Sequence, residues 1–287
     1  MEPMRKKFFW MLATILFVGL MLPSCTNDDN PVGPERQKRV SNVTRYLENG
    51  GEYEKSVSDN YKYDAQGRIA EIEHFVYDND DTGYLSQLTT LSYSANKINM
   101  IIKVFSRTGN AETIIIDKDL DIDENGRVVK MITYSYSESK SRQEVSFDTY
   151  LYTYDEEDHL VRVEGTDGNV NIYEWQNGEL IKNINNQDSE LFQVLEYEPS
   201  EVPADIMLPI NFDNMYECLE MRGFFGQRSR FLPAKVKQTG TIFTIVQTYN
   251  YEMTDGLVTT WYETNNYQLF PFGINNIVVF KNTVEWE

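Results

Sequence analysis

Tyr61-Lys62-Tyr63-Asp64-Ala65-Gln66-Gly67-Arg68-Ile69 is the stretch that decides the fold, because its order of residue types recurs. It returns at Leu120-Asp121-Ile122-Asp123-Glu124-Asn125-Gly126-Arg127-Val128 and at Tyr152-Thr153-Tyr154-Asp155-Glu156-Glu157-Asp158-His159-Leu160. Looser copies stand at residues 173–180, around Trp175 and Gly178, and at residues 249–257, around Tyr251 and Gly256. In each copy apolar residues alternate into a turn and out of it. An Asp or Asn side chain can cap the turn, Gly supplies a positive φ, and the flanking Tyr, Ile and Val suit a pleated surface. Each copy is therefore expected to be a β-hairpin.

Residues 111–123 show the alternation most clearly, with Ile114, Ile116, Leu120 and Ile122 on one face and Asp117, Asp119, Asp121 and Asp123 on the other. One face is expected to be buried and the other wet and acidic. Such runs from Val40 to Trp286 amount to about sixteen strands joined mostly by short turns, an all-β, mainly antiparallel meander. A sheet of that length has to curl into a partial or closed barrel, since open twisted sheets rarely exceed about ten strands. Residues 199–233 interrupt the pattern with Pro199, Pro203, Pro209 and Pro233. They read as an irregular insertion, with a short helix near Asp213–Met221, covering an end or edge of the sheet.

Residues 1–24 read as an export signal: Arg5-Lys6-Lys7, an apolar run from Phe8 to Leu22, then Pro23-Ser24 before Cys25. The run falls short of the roughly 20 residues a spanning helix needs. Leu22-Pro23-Ser24-Cys25 resembles the lipobox of bacterial lipoproteins, with Pro23 as its departure from the usual pattern; the resemblance implies cleavage before Cys25 and a lipid on that residue. Residues 25–37 then read as lipidated cysteine plus flexible tether, and residues 38–287 as a single β domain. Thr26-Asn27-Asp28-Asp29-Asn30 is similar to the acidic signal that carries some lipoproteins of two-membrane bacteria to the outer face of the outer membrane. The expected location is the outer membrane, lipid-anchored, with the body at the cell surface.

The formal net charge is −19, and removal of residues 1–24 takes away three cations and only one acid. A chain this acidic is not expected to bind nucleic acid, whose affinity comes from phosphate neutralisation, or to dock on anionic head groups. With Cys25 lipidated, Cys218 is the one thiol left, so no internal disulfide can form and stability has to come from a core.

The hairpins resemble the YD repeats of large secreted shell-forming proteins, through Tyr63-Asp64 with Gly67-Arg68 and Tyr154-Asp155. A closer resemblance is to a family of bacterial lipoproteins of unknown function with a porin-like fold. It rests on the lipobox at Cys25, the repeated hairpins and the segment Gly223-Phe224-Phe225-Gly226-Gln227-Arg228-Ser229-Arg230-Phe231-Leu232-Pro233. It implies a porin-like barrel over residues 40–287 and brings no activity with it. The charged residues on many candidate strand faces, and an ending of Trp286-Glu287, argue against a barrel that spans lipid.

Catalytic and metal signatures are sparse. His74 and His159 lie in separate hairpins and, with Cys218, make no zinc spacing. Asp121, Asp123 and Asn125 match the opening of a calcium loop, but Ile132 stands where the closing acid belongs, and turn capping accounts for the same residues. There is no phosphate loop, no G-x-S-x-G elbow and no H-E-x-x-H, so neither an enzyme nor a cofactor is expected. The 19 Tyr and 4 Trp leave one ligand chemistry in view: Trp175, Trp261 and Tyr262 as flat faces for stacking sugars. The expectation is a noncatalytic binding protein for an extracellular glycan or protein. The alternatives are an envelope assembly component and a polysaccharide hydrolase.

Overall fold

Asp64, Asp123 and Asp155 each close a turn in the same way. One carboxylate oxygen accepts from the backbone N–H groups two and four residues on: Gln66 and Arg68 at 2.9 and 2.8 Å, Asn125 and Arg127 at 3.0 and 2.9 Å, Glu157 and His159 at 2.9 and 2.8 Å. The third residue after the capping Asp takes a positive φ, 76° at Gly67 and 83° at Gly126. The third copy has no Gly there and uses Asp158 at 67°, a residue that tolerates the left-handed region.

These turns join strands in the computed structural model, which describes residues 38–287 except 79–81, 108–112, 141, 143–144, 187–191, 205–223 and 271–272. The strands are β1 (Val40–Asn49), β2 (Glu52–Tyr63), β3 (Ile69–Tyr77), β4 (Gly83–Tyr93), β5 (Lys97–Val104), β6 (Ile114–Ile122), β7 (Val128–Ser137) and β8 (Phe147–Tyr154). They continue as β9 (Leu160–Gly165), β10 (Val170–Gln176), β11 (Glu179–Asn186), β12 (Phe192–Pro203), β13 (Phe231–Gly240), β14 (Phe243–Thr254), β15 (Leu257–Leu269) and β16 (Ile274–Trp286). Each pairs antiparallel with its sequence neighbours, and β1 pairs with β16 from Val40↔Trp286 to Leu47↔Phe280, so the meander closes into a sixteen-strand barrel. The signal peptide, Cys25 and the tether lie outside the described residues.

The connections that follow the even-numbered strands, the three Asp-capped turns among them, share one end of the barrel with Arg39 and Glu287, here the turn end; the connections that follow the odd-numbered strands form the loop end. Six of the eight strands that run into the turn end finish on an aromatic donor. Each donates to a backbone carbonyl at the start of the strand before it: Tyr63 to Val40, Tyr93 to Ile69, Tyr154 to Val128, Trp175 to Leu160, Tyr251 to Pro233 and Trp286 to Val258, at 2.7–2.9 Å. Residues 224–230 cross this end. Val128 N–H donates to Phe224 O and Gln227 N–H to Asp158 O, both at 2.7 Å, while Phe224 stacks on Tyr93 and Phe225 leans on Tyr152.

The insertion expected at 199–233 is shorter than the sequence suggests. Residues 199–203 belong to β12 and 231–233 to β13, and the expected helix at Asp213–Met221 lies outside the described residues. Proline is accepted there because β11 and β12 stop pairing at Lys182↔Glu196, so the lower end of β12 has no ladder on that side to interrupt.

Val43, Ile98, Met100, Leu120, Val128, Met131, Val258 and Trp261 are at most 2% exposed and belong to one core. The alternate residues carry charge: Lys62 with Glu71 and Glu73, Lys182 with Glu174, Lys235 with Glu198, Lys237 with Glu196. A closed sheet has only two faces, so the core is inside and the charged rungs face outward.

Candidate functional site

Inside the barrel, strand after strand changes from apolar to polar on moving two residues away from the turn end. Tyr61 gives way to Asp59, Ile72 to His74, Leu91 to Thr89 and Leu120 to Lys118; farther round, Val236 gives way to Gln238, Tyr249 to Gln247, Trp261 to Glu263 and then Asn265, Val284 to Asn282, and Val43 to Arg45. Asn183, Gln193, Gln238 and Gln247 on this inward face are only half-buried. Solvent therefore reaches them, whereas the apolar layer at the turn end is dry.

Glu263 is the centre of the polar layer, at 2% exposure. It accepts a hydrogen bond from Arg45 Nη2, one from Gln247 Nε2 at 3.1 Å and one from Asn265 Nδ2 at 2.8 Å. Arg45 also donates from Nε to Asn282 Oδ1 at 3.2 Å and lies 4.2 Å over the Phe280 ring. A buried carboxylate is tolerable on these terms, with a cation and neutral donors filling its lone pairs. Burial first, and the Glu263 charge second, push the Tyr249 phenol above its ordinary range. Asp59 makes a second pair with His74 Nδ1 at 2.7 Å. Four acceptors on inward-facing residues are left without a partner among the described residues: Asn265 Oδ1, Asn183 Oδ1, Asn185 Oδ1 and Thr133 Oγ1.

The three aromatic residues singled out from the sequence do not form one platform. Trp261 is fully buried in the core, so it offers no face to a sugar. Tyr262, the next residue on β15, points outward beside Tyr53, ring centroids 6.4 Å apart. Trp175 is a turn-end staple, stacked on His159 at 4.5 Å. Adjacent strand residues face opposite sides, which is why a sequence-local Trp-Tyr pair cannot act as one surface.

Asp121, Asp123 and Asn125 are also separated by what they bind. Asp121 faces outward 3.4 Å from Lys97. Both carboxylate oxygens of Asp123 are taken, one by turn N–H groups and one by the Arg127 guanidinium at 2.8–2.9 Å. No group of three or more His, Cys, Asp or Glu among the described residues could hold a metal. Cys218 lies outside the described residues.

A second concavity, of about 520 Å³, sits where β11 and β12 part, lined by Glu179, Ile181, Pro199, Glu201, Arg230 and Phe231. Its buried acid is engaged, since Glu179 accepts from Arg230 Nε at 3.1 Å and from Phe231 N–H at 3.4 Å. The sequence carried no signal for the Arg45–Glu263 cluster, because its members come from opposite ends of the chain. The polar alternation of β15 (Glu263, Asn265 and Tyr267 on one face) was the readable half.

No protein-family model matches the chain, and no curated protein matches it. Among solved structures it is similar to a porin-like protein from Bacteroides uniformis ATCC 8492, at 14% identity and a TM-score of 0.59, over 86% of this chain and 96% of that one. A porin-like protein from Bacteroides vulgatus ATCC 8482 matches at 12% identity with a TM-score of 0.26, over 86% and 98%. The likeness to the B. uniformis protein is one of fold: this chain is built as a porin-like antiparallel barrel.

Proposed function

We propose that this protein is a noncatalytic binding protein of the outer membrane, anchored by lipid on Cys25 and displayed at the cell surface, which takes a glycan into the polar inner layer of its barrel. The observation that carries this reading is the set Arg45, Gln247, Glu263, Asn265 and Asn282 together with the unpartnered acceptors of Asn183, Asn185 and Asn265. Amide and carboxylate oxygens accept from sugar hydroxyls, amide N–H groups donate to ring oxygens, and buried acceptors without partners favour a ligand that brings O–H groups. The acidic surface favours neutral polymers over uronic-acid polymers. A noncatalytic role is supported by the pairing of Glu263 with Arg45.

The outward charged rungs support an anchor in lipid rather than a barrel across it, because each cation placed at mid-bilayer depth costs roughly 2–4 kcal/mol. Two measurements test the reading. Full-length protein in mild detergent is titrated calorimetrically with neutral hexose polymers, hexosamine polymers and uronic-acid polymers; saturable binding of a neutral polymer, lost in Asn265→Leu, is expected, and absence of binding to all three classes overturns the glycan reading. Separately, Cys25→Ser is expected to leave the body soluble once exported, whereas retention in the membrane fraction would sink the lipid anchor.

A further inference from the structure

We infer that the loop-end edge of β16, Ile274–Val279, is a pairing edge for a second copy of this chain. β16 runs beside β15 from Leu269↔Ile274 downward, but its other neighbour, β1, joins only at Leu47↔Phe280. Among the described residues, no strand pairs with Ile274–Val279 on the β1 side; β1 runs on to Asn49, but its last two residues pair only with β2. In an antiparallel ladder every second residue sends its N–H and C=O away from the existing partner, so this edge offers a row of backbone hydrogen bonds.

Nothing guards it. Residues 274–279 read Ile-Asn-Asn-Ile-Val-Val, without Pro or charge, and Ile274 and Ile277 are 51% and 60% exposed. Phe270 and Ile242, joined by a backbone hydrogen bond at the neighbouring tips, are each 54% exposed. The break between β11 and β12 is treated differently: Pro199, Pro203, Glu201 and Arg230 stand there, the devices that discourage strand addition.

Charge selects the occupant. The chain carries −19, yet residues 264–280 and 238–251, which form the upper parts of β13 to β16, contain no Asp, Glu, Lys or Arg. Two copies of net charge −19 meet with least repulsion on such a wall, while a basic partner would be drawn to the acidic surfaces instead. A bilayer is a poor occupant, since hydrocarbon would leave the edge groups without hydrogen bonds. Pairing two copies across a two-fold axis normal to the sheet keeps each face continuous and sets one residue, Asn276 or Ile277, opposite itself.

The test uses the full-length chain in its own membranes with Cys218→Ser as background. Asn276→Cys, Ile277→Cys and, as an exposed control on β8, Leu151→Cys are oxidised with copper phenanthroline and blotted. The expected result is a disulfide-linked dimer at 276 or 277 at least about 10-fold above the Leu151→Cys level, abolished by adding Ile274→Lys. Dimers no stronger than the control at both positions, or dimers that survive Ile274→Lys, would overturn the pairing edge.

Discussion

Asp123 shows how much one side chain decides. Its carboxylate holds Asn125 N–H, Arg127 N–H and the Arg127 guanidinium, and that guanidinium lies 4.6 Å over the Tyr154 ring of the next hairpin. Asp123→Ala is expected to cost about 2 kcal/mol in urea unfolding, the scale of charged hydrogen bonds left unmade. Desolvation pushes the carboxyls of Asp64, Asp123 and Asp155 up, but backbone N–H groups and the Arg68, Arg127 and His159 side chains outweigh it and hold all three below the ordinary value. A folded-state pKa lowered in this way contributes stability that is complete above the unfolded value, about 4, and is lost as pH falls through the lower folded value. Thermal midpoints should therefore stay flat from pH 7 to about 5 and fall below pH 4, less steeply in Asp123→Asn; a midpoint independent of acid would contradict this. Two glycines separate backbone strain from crowding. Gly126 at φ +83° has open space around it, so Gly126→Ala should cost about 1 kcal/mol, whereas a Cβ at Gly226 would stand 2.2 Å from Asp158 O and force the covering segment to shift. Equal unfolding midpoints for the two variants would refute that distinction. Asp, Gly and the turn Tyr were legible at this scale because capping is local. Lys118 was not: its β6 neighbours on the same face are Ile116 and Leu120, and only the structure shows it 1% exposed.

At the scale of the element, the hairpin repeat carries a second function beyond making a turn. In six of the eight incoming strands the closing aromatic ties down the start of the strand before it, and the cation or ring just before an outgoing strand packs on the aromatic that closes the following strand: Arg39 over Tyr63, Arg68 over Tyr93, Arg127 over Tyr154, His159 on Trp175. This is why the sequence alternates Tyr-x-Tyr-Asp rather than simply aromatic and polar. His159 stands in place of Arg in the third copy and stacks on the Trp175 indole at 4.5 Å. Removing the phenol in Tyr154→Phe keeps the packing and strands the Val128 carbonyl, so a loss of about 1–2 kcal/mol is expected, with hydrogen exchange quickening first at the β6–β7 and β8–β9 turns. Uniform quickening over the whole barrel would show that the staple is not a local one. The hairpins were readable from period and turn chemistry, whereas the staple was not, since it joins residues 15 to 28 apart at opposite ends of a two-strand excursion.

The whole molecule depends on its seam. β1 and β16 bring residues near both ends of the described chain together, and the Arg45–Glu263 pair clasps β1 to β15 across β16 from the inside. Arg45→Met leaves a buried carboxylate without its cation and is expected to cost roughly 3–5 kcal/mol, while Arg45→Met with Glu263→Met should recover much of that loss; an additive double mutant in denaturant titration would argue against direct coupling. What the sequence determined by itself was the hairpin and its number: period-two alternation, Asp and Gly turns, and a total of about sixteen strands are local properties that any chain with this pattern carries. The acidic outer face followed from the same alternation, but Asp117 on it is buried under Arg142 and Ile114 on the other face is exposed. Only the tertiary structure decided that the meander closes, that Trp261 faces the core and Tyr262 the outside, and that Arg45 meets Glu263. Those outcomes are set by strand stagger and by which face turns inward, and both depend on all sixteen strands at once, because closure fixes the register of the first strand against the last.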